Sequence, residues 1–355
     1  MPAEGAIWKQ PVLAGTLRRL AEHGADDFYR GEIAREIAND MAANGGWITL
    51  DDLRNFPEPT VLQPLTSTYR DWIVYSLPPP GGGWVVLQIL NLLEQTSAQE
   101  LRPGTATCAL KLIDALRIAH TSRRTKPVED LVHFDDAVSD RISKETARRL
   151  LQKTGRESSG ETTHFSVVDA EGMVVGVTAS INAYYGAKVA SPSLGFLYND
   201  YMNEFEIDSP GHPFAIRPNA MPYSSMSPTI LAKDGIPHLV IGSPGSSRII
   251  SSVAQVIQLW VDSGFGIADA VSAFRLHVHP TTEEIRLYVE DPEMAKKMHL
   301  KYEQRDYVLM QPGNDLANGN WNPYFGGIHA IAKKHGQWHG AADPRRDGKV
   351  MYANK

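Results

Sequence analysis

Glu161-Thr162-Thr163-His164-Phe165-Ser166-Val167-Val168-Asp169, followed by Ala170-Glu171-Gly172 and the return run Met173-Val174-Val175-Gly176-Val177-Thr178-Ala179-Ser180-Ile181-Asn182, decides how the rest of this chain is read. From His164 to Asp169 apolar and polar residues alternate with the period of two that marks a half-buried strand. Asp169-Ala170-Glu171-Gly172 carries turn chemistry, and the segment after it is rich in β-branched residues. The pattern predicts a β-hairpin whose entry holds two hydroxyl residues, Thr162 and Thr163. Just upstream lies a polar run, Gly155-Arg156-Glu157-Ser158-Ser159-Gly160. Two readings are open at this point: a loop entering a strand, or a threonine presented at a strand tip on the rim of a cleft.

Outward from the hairpin, composition bounds the problem. The chain has 355 residues, 42% hydrophobic and 21% charged, which is ordinary for a globular protein. Its net charge of −6, with no long basic block, gives nucleic-acid binding no support. No apolar run approaches the ~20 residues of a membrane span. The N-terminal Met1-Pro2-Ala3-Glu4-Gly5 has neither the basic nor the apolar segment of a secretory signal. The single cysteine, Cys108, excludes an intrachain disulfide and sits in a run of helix formers, where a small core residue is expected.

Upstream of the hairpin the periodicity predicts helices. One spans about 12–24, with Leu13, Leu17 and Leu20 on one face, and a second spans about 26–43, with Ile33, Ile37 and Met41. A short third is capped by Thr49. A strand over 69–77 leads into the breaker cluster Pro78-Pro79-Pro80-Gly81-Gly82-Gly83, then a helix over 84–93 that is apolar on every side. No Lys-Ser or Lys-Thr follows the glycines, so a plain turn is favoured over a phosphate cradle. Helices over 106–120 and 143–154 flank a polar stretch. Downstream, strands are expected at 195–198, 229–231, 238–242 and 285–289, helices at 246–261, 267–276 and 292–299, and a closing hairpin around His335-Gly336. Helices first, then strands and helices mixed around a hairpin, fit an α+β layered domain.

The residues carry more than the pattern. Glu161 to Asp169 resembles the nucleophile segment of the γ-glutamyltransferase family (γ-glutamyltranspeptidase, glutathione hydrolase), which are N-terminal-nucleophile hydrolases. In the same order follow Ser180 with Asn182, then Tyr223-Ser224-Ser225-Met226-Ser227-Pro228-Thr229, then Gly242-Ser243-Pro244-Gly245-Ser246-Ser247-Arg248. Ser76-Leu77-Pro78-Pro79-Pro80-Gly81-Gly82 upstream and Gly340-Ala341-Ala342-Asp343-Pro344-Arg345-Arg346-Asp347-Gly348 near the end agree as well. The resemblance implies the four-layer αββα sandwich of those hydrolases, formed as one interleaved fold from residues 1–161, a mostly helical large-subunit-like part, and residues 162–355, a small-subunit-like part. Gly160/Glu161 is then a processing boundary. The family's N-terminal portion precedes the segment that Ile7-Trp8-Lys9-Gln10-Pro11-Val12-Leu13 resembles. It contributes sheet strands and an arginine that grips the substrate carboxylate. The chain is therefore expected to be a fragment, a split gene needing an upstream partner polypeptide, or a shortened paralogue.

A threonine hydroxyl needs a base beside it to act as a nucleophile. Cutting Glu161–Thr162 would give Thr162 a free α-amine, with an unperturbed pKa of about 7.7–8.0, able to take the proton itself. The resemblance implies that this cut is autocatalytic, with the two products staying together, and that Thr162 is the nucleophile. Thr163 is the competing candidate. Ser180 and Asn182 match positions that hold the nucleophile and contact the substrate; as plain residues they are strand-end polar groups. Gly245 and Ser246 match two successive glycines whose N–H groups hold an oxyanion, Ser246 being a departure; a tight strand-to-helix turn explains the glycine without catalysis.

For the substrate, Ser224 and Ser225 match the pair that binds the γ-glutamyl α-carboxylate. Glu204 stands where an aspartate for the α-amine is common, and Tyr201 where a glutamine is common. A small γ-glutamyl peptide as donor and water or an amino acid as acceptor follow from the resemblance, with no cofactor. The altered pocket also allows a cephalosporin-type or poly-γ-glutamate acyl group. His277 and His279 alternate on a strand and can in principle chelate, but packing is favoured for want of a third ligand. Asp343-Pro344-Arg345-Arg346-Asp347 reads as a structural ion-pair network.

Overall fold

The computed structural model describes residues 3, 6–125, 127–128, 138–150, 162–280, 284–296, 307–310, 312 and 321–353. Glu161 and the run 155–160 lie outside the described residues, as do parts of the polar stretch 121–139 and of the helices expected at 143–154 and 292–299. The chain divides into two compact units, Met1–Leu62 with Ile181–Asp200, and Gln63–Ser180 with Tyr201–Lys355.

The first unit holds α1 (Pro11–His23), α2 (Ala25–Tyr29), α3 (Glu32–Asn44) and α4 (Leu50–Arg54). Its core is Ile33, Ala34, Ile37, Leu53 and Leu194. The single helix expected over 26–43 is broken. The Asp27 carboxylate accepts the Glu32 N–H at 2.8 Å, capping a fresh helix start, while Arg19 donates to the same carboxylate. In α1 the expected Leu face is incomplete, since Leu17 is exposed. Thr49 caps α4 in a full capping box with Asp52. The strand expected at 195–198 is only an isolated bridge between Ala190 and Leu197.

The second unit is built on an antiparallel six-stranded sheet, ordered β1 (Leu65–Tyr69), β2 (Trp72–Ser76), β5 (Thr229–Lys233), β6 (Ile236–Gly242), β10 (His329–Lys334), β11 (Gln337–Ala342). The strand expected over 69–77 is the second half of a β1–β2 hairpin, which turns at Arg70 with φ 53°. On one face of the sheet lie α5 (Gly83–Leu93), buried along its whole length, α6 (Ala106–Thr125) and α8 (Arg248–Asp262), with α7 (Lys144–Leu150) packed on α5 and α9 (Ile267–Ser272) against β10 and β11. A third sheet contains β7 (Leu276–Pro280), β8 (Ile285–Val289) and β9 (Tyr307–Met310), β8 and β9 running parallel.

The expected hairpin is β3 (Thr163–Val168) with β4 (Val174–Ala179). It packs on β6 and β10. Alternation along β6 tells which face it covers. Leu239 and Ile241 join the core formed with the helices, whereas Val240 and Gly242 point the other way. An added Cβ at Gly176 on β4 would meet Val240 at 3.0 Å, and one at Gly242 would meet the His164 ring at 2.3 Å. The six-stranded sheet is thus sandwiched between helices and the β3–β4 hairpin.

Candidate active site

The hairpin register pairs Thr163 with Ala179, so Thr162 and Ser180 face each other one step beyond the last pair. Thr162 Oγ1 donates to Ser180 Oγ at 3.3 Å. Thr162 is half-buried, whereas Thr163 points its side chain to solvent. His164, the next residue pointing inward, fixes the strand. Its ring nitrogens bond the Thr178 hydroxyl at 2.8 Å and the Ser166 hydroxyl at 3.1 Å, and its carbonyl accepts from His329 Nδ1 at 2.6 Å. Burial, with His329 alongside, holds the His164 pKa down at about 3, so the ring is neutral near pH 7.

The same sheet end gathers the other matched residues. His329 pairs with Gly242, the last residue of β6. Beyond it, Ser243-Pro244-Gly245-Ser246 makes a tight turn into α8. Gly245 has φ 126° and Ser246 φ 62°, both in the left-handed region. A Cβ at Gly245 would lie 2.9 Å from the Gly326 backbone, so glycine is required there. Ser246 accepts the conformation as a strained L-residue, with its own carbonyl bonded by the Ile249 N–H at 2.9 Å. Ser243 Oγ locks the turn, donating to the Pro244 carbonyl at 2.6 Å and accepting from Gly327 N at 3.1 Å.

Thr229 pairs with Ile241, so the serine pair preceding β5 emerges at the same end as this turn. A Cβ at Gly82 would meet both the Ser225 carbonyl and Ile250 of α8 at 2.9 Å, which shows how closely the serine loop, the Pro-Gly loop and α8 converge. The Gly82 N–H donates to the Met226 carbonyl at 3.0 Å, which gives the breaker cluster a structural task as a brace for the serines. Met226 N donates to Ser224 Oγ at 3.2 Å, and the Arg123 guanidinium donates to Ser225 Oγ at 2.9 Å. Each hydroxyl therefore has an acceptor position filled, and among the described residues neither proton is committed.

Glu204 ends the short turn Tyr201–Glu204 and is half-buried. Asn182 belongs to the first unit; it is buried, has φ 69°, and lies beside Asp200, whose carboxylate accepts from Ala183 N at 2.9 Å. Thr162 with Ser180, the Gly245–Ser246 turn and the serine pair are thus brought to one end of the second unit.

Arg123 was not among the expected residues, because the helix predicted to end at 120 continues to Thr125. The stripe Ile113, Leu116, His120, Arg123 is buried throughout, and a basic side chain continuing an apolar 3–4 spacing is the signal that could have found it.

His277 and His279 lie on β7. The two His277 ring nitrogens face Ser251 Oγ at 2.8 Å and Ser247 Oγ at 3.4 Å, and Ser251 in turn meets His120 Nε2 at 3.0 Å. These buried contacts hold β7 and α6 to the first turns of α8. Arg345 donates to Glu290 and Asp343, and Arg275 pairs with Asp343 at 2.7 Å, all four being buried, so the Asp343–Arg346 segment is an ion-pair knot. Cys108 is buried, its thiol pushed up to about 12 by desolvation. No helix of the described residues is long and apolar enough to cross a membrane.

The sequence matches the gamma-glutamyltranspeptidase family over residues 1–353. It is 35% identical over 310 residues to the glutathione hydrolase proenzyme of Escherichia coli, covering 80% of this chain and 53% of that protein. It is 33% identical over 281 residues to the acylase ACY 1 proenzyme of a Pseudomonas species, covering 75% of this chain and 50% of that protein. Among solved structures, the cephalosporin acylase from Bacillus halodurans superposes with a TM-score of 0.85 at 24% identity, over 100% of this chain and 64% of that chain, a likeness of fold. The chain thus spans about half the length of these two curated relatives.

Proposed function

We propose that this chain, which belongs to the gamma-glutamyltranspeptidase family, carries the self-cleaving catalytic part of a γ-glutamyl hydrolase or transferase. The bond before Thr162 is cut, and the new α-amine of Thr162 takes the proton from its own hydroxyl as Oγ1 attacks the γ-carbonyl. The C–N bond then breaks, the ammonium proton goes to the leaving amine, and a threonyl ester remains. Water or the amine of an amino acid displaces the ester and restores the hydroxyl. Ser180 orients Thr162, the N–H groups of Gly245 and Ser246 receive the negative oxygen, Ser224 and Ser225 hold the α-carboxylate, and Glu204 serves the α-amine.

The observation that carries this reading is the facing pair of hydroxyls, Thr162 and Ser180, at the sheet end where β6 runs into the Gly245 turn. The six-stranded sheet supports the expectation that the cut pieces stay together, since β2 from before Thr162 pairs with β5 from after it over four residue pairs. The helix, sheet and hairpin layering fits three of the four layers of an αββα sandwich. The outward hairpin face carries Phe165, Val167 and Val175, 52%, 49% and 44% exposed, which fits a site for the fourth layer, supplied by further polypeptide.

Purified protein on a denaturing gel should give two unequal pieces, the larger beginning at Thr162, with Thr162→Ala remaining whole. Wild-type protein that stays uncut and releases no p-nitroaniline from γ-glutamyl-p-nitroanilide defeats the proposal. The second reading keeps the nucleophile and changes the acyl group. Tyr201 and Glu204 and the similarity to an acylase proenzyme favour it. A panel of γ-glutamyl and other acyl anilides separates the two, since release from the γ-glutamyl compounds alone removes the acylase.

A further inference from the structure

The geometry points to Arg123 as the positioning residue of the carboxylate subsite, acting through Ser225 and Ser224 rather than on the substrate. Arg123 is 2% exposed, on the last turn of α6. One guanidinium nitrogen donates to Ser225 Oγ and another to the Ser224 carbonyl, both at 2.9 Å. Its charge lies 4.2 Å from the centre of the Tyr223 ring, and the Tyr223 hydroxyl donates back to the Arg123 carbonyl at 3.0 Å. Three consecutive residues of the serine loop are therefore gripped by one side chain and its own backbone.

The consequence is directional. A guanidinium has five donors and no acceptor. Where it donates to Ser225 Oγ, the hydroxyl can bond to it only as acceptor, so the serine proton must point elsewhere. The Met226 N–H does the same to Ser224 Oγ at 3.2 Å. Two adjacent hydroxyls thereby have their protons turned to donate, an arrangement that receives a carboxylate and disfavours a cation. A lysine at 123 would supply charge without the planar fork that reaches both the Ser225 hydroxyl and the Ser224 carbonyl. This inference rests on the γ-glutamyl reading of the site and names the group that gives the serine pair its polarity.

The test compares L-glutamate with 4-aminobutyrate, which is glutamate without its α-carboxylate, by titration calorimetry on wild-type, Arg123→Met, Arg123→Lys and Ser225→Ala proteins. Loss of a charge-assisted hydrogen bond predicts that Arg123→Met weakens glutamate binding by about tenfold or more. Binding of 4-aminobutyrate should stay within about twofold, Arg123→Lys should recover part of the loss, and Ser225→Ala should lose a similar factor with little added by combining it with Arg123→Met. In turnover with γ-glutamyl-p-nitroanilide the same change should raise KM and leave kcat nearly unchanged. Equal losses for both ligands, an unchanged glutamate affinity, or a wild-type protein that does not prefer glutamate would each overturn the inference. If Arg123→Met does not fold, the Ser225→Ala and Arg123→Lys comparisons decide it by the same criterion. A protein that prefers glutamate through Arg123 yet is never cut before Thr162 would sink the proposed function and leave this inference standing.

Discussion

Replacing Gly242 by alanine should unseat the hairpin that carries Thr162. The added methyl would lie 2.3 Å from Nδ1, 2.4 Å from Cε1 and 2.7 Å from Cγ of His164. The ring cannot swing away cheaply, since it is buried and tied to Thr178 at 2.8 Å and Ser166 at 3.1 Å. Overpacking of this kind costs about 1–3 kcal/mol. Loss of one or both ring hydrogen bonds adds about 1 kcal/mol each. The sum is about 2–5 kcal/mol, or on the order of 3–7 °C in melting temperature for a protein of this size. Gly211→Ala is the control, because a Cβ there has no atom within 4 Å, and it should change stability by no more than about 0.5 kcal/mol. Differential scanning fluorimetry reads the first effect, and the fraction cut before Thr162 on a denaturing gel reads the displacement of that residue. A Gly242→Ala protein that melts with the control and is cut like wild type would refute the docking of β3 and β4 on β6.

Three further outcomes follow from buried groups. Arg345→Met leaves Glu290 and Asp343 with one cation fewer in a dry knot, so stability should fall by about 3–5 kcal/mol in urea unfolding. The His164 pKa is depressed from 6.5 to about 3 in the folded state, so between those values the unfolded chain binds more protons and stability is lost as pH falls. His164→Asn should flatten the pH dependence of the melting temperature across that window. Cys108, with its thiol raised to about 12, should resist iodoacetamide at pH 8 in the native protein and react in denaturant, as mass spectrometry would register.

What was legible in the sequence had a strong period or a strong punctuator. The β3–β4 hairpin follows from alternation around Asp169-Ala170-Glu171-Gly172, and α5 from an unbroken apolar run after prolines. The cap at Thr49 followed from its local chemistry, and the structure completes it as a capping box with Asp52. The rest depended on partners distant in the chain. The break at 30–31 is made by the Asp27 carboxylate, held by Arg19, which competes with helix continuation. Strand β1 was hidden because Leu65-Thr66-Ser67-Thr68-Tyr69 is mostly polar and its turn uses Arg70 at positive φ in place of glycine. In the candidate site, residue types and order were readable at Thr162, Ser180, Ser224, Ser225 and Gly245. The pairing of Thr162 with Ser180 followed from antiparallel register. The engagement of Ser225 by Arg123 did not, since it joins residues 102 apart through α6.

Helix α6 touches two different pieces of equipment within a single turn. His120 reaches the Ser251 hydroxyl on the helix that follows the Gly245 bend, and three residues later Arg123 reaches the serine loop. The helix is thus a common rod for both. A slide or roll of α6 along its axis would shift the serine loop and the Gly245 bend together, so under the proposed roles substitutions at Ile113 and Leu116, buried farther back on the same stripe, should move KM and kcat together, unlike Arg123→Met.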